Sequence, residues 1–133
     1  MSLSETDRKL VVAYRLEKAH RTYDQVLANL SFGFWELIAN RLYYSAYYAV
    51  SALLIAHGHF AKTHDTIIRV FGQNFVKTGR ITKDLGRLYT KLYTLRIKGD
   101  YEDKFNLTEE DVKPLVEPTK LLIEQVSMLA EEL

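Results

Sequence analysis

Apolar residues recur along this chain at helical spacing, and no stretch alternates long enough to predict a strand. The first predicted helix covers about Ser4 to Asn29, with Ser4 as its cap and Asp7 three residues on. Leu10, Ala13, Tyr14, Glu17, Tyr23, Val26 and Leu30 trace its imperfect stripe among charges, the pattern of an amphipathic outer helix. "LSFGF" then interrupts. A second helix is predicted from about Phe34 to His57, apolar on most faces and therefore central and buried. Its row of small residues, Ser45, Ala49, Ala52 and Ala56, lets a neighbouring helix approach closely.

Gly58 is the expected stop of that helix. Thr63 caps a shorter one over about His64 to Val76, turning Ile67, Ile68, Phe71 and Phe75 inward, and "KTGR" ends it through Gly79. Thr82 opens a fourth helix with Leu85, Leu88, Tyr89, Leu92 and Leu95 as core stripe, expected to end near Lys98 and Gly99. "LTEED" reads as a capping box of Thr108 with Asp111. It starts a last helix to about Ala130, irregular in its first half because of Pro114 and Pro118. No repeat or low-complexity linker breaks the pattern. The expectation is an all-α, antiparallel bundle of four to five helices, a single domain over residues 1–133.

Composition narrows the function classes. The chain has no cysteine, which excludes a disulfide scaffold and a thiolate zinc site and fits a reducing cytoplasm. Its net charge of +1 is not a nucleic-acid footprint, so any RNA contact must come from local clustering. The polar start "MSLSETDRKL" predicts no secretory leader. The longest uncharged run, Leu42 to Ala56, is too short and too rich in tyrosine for a membrane span. Four of the nine tyrosines, Tyr43, Tyr44, Tyr47 and Tyr48, lie in "YYSAYY". Such rings serve a core, a pocket or an interface.

The segments "NRLYYSAYYAVSALLIAHG", "KTHDTIIRVFGQNFVKTG" and "LYTLRIKGDY" carry a resemblance. Together, over about Phe34 to Ile123, they resemble the small stand-alone prokaryotic members of the HEPN family, named for higher eukaryotes and prokaryotes nucleotide-binding. The resemblance implies an all-α bundle, often a homodimer. It implies a small nucleotidyltransferase as partner, in toxin–antitoxin or defence operons. It also implies, for many members, a metal-independent ribonuclease whose arginine, followed after four to six residues by histidine, meets its copy across the dimer. Some toxin members carry a tyrosine just after that histidine, which the partner adenylylates.

Arg96 matches the motif arginine, but no histidine follows it in the chain. Asp100 sits near the expected histidine position, and the modifiable tyrosine would be Tyr101, displaced in spacing. The substitution bears on the chemistry. Imidazole titrates near neutrality and moves a proton well, whereas an exposed aspartate titrates near ~4 and is a poor base at pH 7. Arg96 keeps its capacity for bidentate phosphate contact. Phosphate binding therefore survives the change more easily than cleavage does. Against a functional role stands the four-residue spacing of Arg96 and Asp100, that of an ordinary surface ion pair.

His64, at a helix start that disfavours the charged imidazole, is a candidate to approach Arg96 and supply the missing group. Its plainer reading is a capping or inter-helix hydrogen bond. Asn40, Tyr44, Tyr47 and Ser51 share one face of the central helix, as a pocket lining or as a hydrogen-bonded seam. Lys62, Lys77 and Arg80 are candidates for a basic patch or a solvated face. His57 and His59 flank Gly58 without a carboxylate cluster, so neither a metal nor a cofactor is expected.

Three functions follow from these residues. The first is a cytoplasmic binding module, homodimeric and paired with a nucleotidyltransferase partner. It would touch nucleotide or RNA phosphate near Arg96, with Tyr101, Lys62, Lys77 and Tyr44 as further binding residues. The second is a metal-independent endoribonuclease with a composite site of Arg96, Asp100 and His64. The third is a structural helical adaptor whose tyrosine face is the interface. Enzymatic activity is left open by the sequence.

Overall fold

The computed structural model describes residues 3–101 and 106–132, with the side chain of Tyr101 outside the described part. Helix α1 covers Glu5–Asn29, α2 Trp35–Ala56, α3 His64–Phe71, α4 Lys83–Tyr101, α5 Glu109–Val112 and α6 Val116–Glu131. Short irregular turns of helix lie between them: a 3-10 turn at Leu30–Phe32, a π turn at Gly72–Val76 and a 3-10 turn at Lys113–Leu115. No strand occurs among the described residues, and the all-α bundle is as expected. Among them, no helix is long and apolar enough to cross a membrane.

Helix α2 is the hub, packed by α1, α3, α4, α5 and α6. Its leucines Leu42, Leu53 and Leu54 and the small row Ser45, Ala49, Ala52 and Ala56 are buried. Each large apolar side chain so buried contributes about 1.5–3 kcal/mol. Helix α1 docks with Val12, Leu16, Ala19, Tyr23 and Val26 inward, an unbroken alternation of four and three steps. This corrects the predicted stripe. Leu10, Ala13 and Tyr14 are exposed, because the apolar series that skips Glu17 lies one position round the helix. The Tyr23 hydroxyl donates to the Val116 carbonyl at 2.9 Å and ties α1 to α6. Burial first, then Glu117 and Glu124, pushes this phenol up to about 12.

The caps follow the sequence. The Asp7 amide donates to Ser4 Oγ, and the Thr66 amide to Thr63 Oγ1, both at 3.1 Å. The Thr108 amide and hydroxyl both donate to Asp111, which holds the Asp111 carboxyl below its usual range. Gly58 and Gly79 stand at φ 81° and 84°, the left-handed conformation that ends a helix with least strain. Pro114 and Pro118 fall in first turns, where a missing N–H costs nothing, so the last segment is split rather than kinked.

Two positions depart from expectation. The predicted third helix ends as a π turn, which seats both Phe71 and Phe75 in the core. Gly99 does not end α4, which runs on to Tyr101. A Cβ at Gly99 would lie 3.2 Å from Leu107 Cδ1, so the missing side chain serves a close approach inside the helix. A similar contact occurs at Gly86, where a Cβ would come within 2.9 Å of a Val76 methyl.

Candidate functional site

One turn before its end, α4 carries Arg96 and, four residues on, Asp100. Their Nε and Oδ2 atoms are 3.2 Å apart. The Arg96 side chain is only 13% exposed and that of Asp100 29%, so the pair is shielded more than an ordinary surface bridge. Asn40 of α2 donates from Nδ2 to the same Asp100 oxygen at 3.1 Å. Its Oδ1 in turn accepts from Arg41 at 3.2 and 2.9 Å. Asp100 therefore joins α4 to α2 as well as neutralising Arg96.

Tyr44 lies between the two arginines. The guanidinium carbons of Arg41 and Arg96 are each 5.4 Å from its ring centre, within cation–π range. Arg96 also lies 5.8 Å from the Tyr43 ring. Two guanidiniums thus meet one ring, a group of hydrogen-bond donors of the kind that takes an anion.

Residues 40, 43, 44 and 47 share one face of α2 by their three- and four-residue spacing. On that face Tyr43 is fully buried. Its ring stacks on Tyr89 at 5.8 Å and meets Tyr93 at 5.5 Å, both from α4. His64, the first residue of α3, enters the same cluster. Its ring stacks on Tyr93 at 5.7 Å and lies 5.0 Å from Tyr47. Its Nδ1 is hydrogen-bonded to the Tyr43 hydroxyl.

Burial first, then the Arg96 charge, lowers the His64 imidazole below its usual range, against a smaller opposing pull from Asp65. Burial raises the Tyr43 phenol well above its usual value. Both groups are therefore neutral at pH 7, and the direction of the bond between the Tyr43 hydroxyl and His64 Nδ1 follows the imidazole tautomer. The Tyr89 hydroxyl is buried beside that of Tyr43, within electrostatic reach but without good hydrogen-bond alignment.

The fold thus brings Arg96, Asp100, His64 and Tyr44 together, from helices α2, α3 and α4. Lys62 is exposed two residues before His64, at the same end of α3. Lys77 is exposed after the π turn, thirteen residues beyond His64 and about 20 Å along the helix, away from Arg96. Arg80 pairs with Glu132 at 3.3 Å and lies over Phe75. Tyr101 as a modification site lies outside the described side chains. Ser51 faces α1 instead, accepting from Arg15 at 2.9 Å. His57 and His59 pack edge-on against Phe75. Among the described residues, no three of His, Asp or Glu are grouped to hold a metal.

Arg41 and Tyr93 are not singled out by the sequence, and Tyr43 enters it only as one ring of the tyrosine run. For Arg41 a signal was present: it is the last charge before fifteen uncharged residues of a buried helix. Two grooves, of about 890 Å³ along α1 and about 630 Å³ between α3 and α4, include neither Arg96 nor His64. Of the cluster described above, Tyr89 lines the groove between α3 and α4.

A helical bundle with a tyrosine-backed arginine at the end of α4 defines a class, and the comparisons define it further. The HEPN domain family matches residues 12–129, and the chain belongs to that family. A UPF0332 protein of Thermotoga maritima is 30% identical over 127 residues, covering 96% of each chain. A Methanocaldococcus jannaschii protein named "Putative toxin MJ0605" is 33% identical over 94 residues, 70% of this chain and 69% of its own. The crystal structure of TT1696 from Thermus thermophilus shares the fold, with a TM-score of 0.67 at 18% identity over 91% of this chain and 96% of that one.

Proposed function

We infer that this chain is a toxin-type HEPN binding module, acting with a nucleotidyltransferase partner and taking the phosphate of a nucleotide or RNA at Arg96. The observation that carries the reading is the seating of Arg96, 13% exposed on Tyr44 with Arg41 on the same ring. A guanidinium already held in place loses little freedom when it binds phosphate, and a second cation beside it adds to the attraction. The relatives named as toxins support the setting. The test is thermal unfolding with and without nucleoside mono- and triphosphates. Protection of the wild type that disappears in Arg96→Ala supports the reading, and no protection by any phosphate removes it.

One observation favours a second reading, a metal-independent ribonuclease. His64 is neutral and shares the Tyr43–Tyr44 pair with Arg96, so an imidazole and a cation stand in one protomer without the motif histidine. Cleavage would proceed by proton transfer from a ribose 2′-hydroxyl, its attack on the adjacent phosphorus, and departure and protonation of the 5′-oxygen. RNA cut in the presence of chelator, and spared by both His64→Ala and Arg96→Ala, is the expected result. Intact RNA with the wild type rejects it.

A further inference from the structure

The larger groove, about 890 Å³, lies along α1 at the end of the bundle where α2 and α6 finish. Its floor is apolar. Val12 and Leu16 of α1, Ala56 of α2 and Ala130 of α6 line it, and each keeps a little exposure where Ala19, Val26 and Leu53 have none. The space has a cause in the sequence. Three of its wall positions, Ala13, Ala56 and Ala130, are alanines, where larger side chains would close the gap to the density of a normal interior.

The charges around the groove differ in their partners. Lys9 pairs with Glu5 at 3.7 Å, and Arg21 with Glu17 at 3.9 Å. Arg8, half-buried in the groove wall, has no acidic partner among the described residues. Its Nε is shut off from solvent and meets no hydrogen-bond acceptor. A buried donor left over in this way marks a missing acceptor. Glu131 also lines the groove but is exposed, so water screens its charge.

We propose that this groove is a binding site for an apolar chain ending in a carboxylate, a medium-chain acyl acid, with its head at Arg8 and its tail along the alanine-walled floor. A guanidinium takes a carboxylate through two parallel hydrogen bonds. Arg8 and Leu16 lie about 12 Å apart along the helix, the reach of an extended medium-chain acyl group. A largely apolar space of this size with one charged group at its wall has the form of a small-molecule site. None of its residues belongs to the Arg96 cluster, so the site stands whether or not Arg96 takes phosphate.

The test is isothermal titration calorimetry on the full chain with hexanoate, octanoate and decanoate, and with decanol as the neutral control, beside Arg8→Gln and Ala13→Trp. Arg8 has no side-chain partner to lose and Ala13 is exposed, and circular dichroism and thermal melting establish that each variant is folded. Affinity is expected to rise about three- to four-fold with each added methylene. Arg8→Gln should weaken decanoate about ten-fold or more and leave decanol unchanged. Ala13→Trp fills the groove and should abolish binding of both.

Absence of decanoate binding to the wild type overturns the proposal. Binding that ignores both substitutions overturns it too, because the chain then sits elsewhere. Decanol bound as tightly as decanoate removes the role of Arg8 and with it the carboxylate. Loss of a wild-type oligomer in sedimentation on Ala13→Trp, with no binding of decanoate, would assign the groove to a second copy of the chain and also overturn the proposal.

Discussion

Arg41 and Arg96 lie over one ring, that of Tyr44, at the same 5.4 Å. Two like charges so close are held by the ring and by the Asp100–Asn40 bridge between them. Tyr44→Leu removes the ring from both and is expected to destabilise the fold by about 1–2 kcal/mol. Tyr44→Phe keeps the ring and is expected to stay within about 0.5 kcal/mol of wild type. Urea denaturation of the two variants measures the difference.

His64 gives the fold a pH dependence. Its folded imidazole titrates below the ordinary value of 6.5, so over that interval the unfolded chain binds the extra proton. Its effect is absent well above 6.5, and stability falls as the pH drops from 6.5 through the lowered folded value. Comparison of wild type with His64→Gln between pH 7.5 and about 5 should show a steeper decline in the wild type.

Tyr43 shares a hydrogen bond with that imidazole. Tyr43→Phe leaves Nδ1 of His64 without its hydrogen-bond partner, at an expected cost of about 1–2 kcal/mol. Urea denaturation of Tyr43→Phe beside the wild type measures that cost.

Gly86 is where α4 passes closest to the π turn. Gly86→Ala adds helix propensity of up to about 1 kcal/mol but drives a methyl into Val76, and overpacking of this kind costs about 1–3 kcal/mol. A net loss is expected. The double variant with Val76→Ala should be more stable than the sum of the two single changes predicts, by thermal or chemical denaturation.

Much of the architecture is legible in the sequence because caps and helical stripes are local signals. Ser4, Thr63 and Thr108 announce three helix starts, and the leucines of α4 announce its buried face. The stripe of α1 was harder to place, since two apolar series one step apart compete and only packing against α2 selects Val12 and Leu16. Gly99 reads locally as a terminator, yet its role is set by Leu107, beyond the helix. The site is legible only in part for the same reason. Arg96 and Asp100 are four residues apart and visible together. Asn40 meets Asp100 across sixty residues and His64 meets Tyr43 across twenty-one, and no local pattern carries those distances.

That dispersal has a consequence for when the cluster is assembled. A growing chain presents Tyr44 and His64 long before Arg96 exists, and it lacks Asp100 until nearly the whole of α4 has been made. A product cut short before residue 96 lacks the second guanidinium of the pair over Tyr44, and a full-length chain with α4 undocked holds it in the wrong place. The cluster is therefore complete only in a polypeptide translated through α4 and closed around α2.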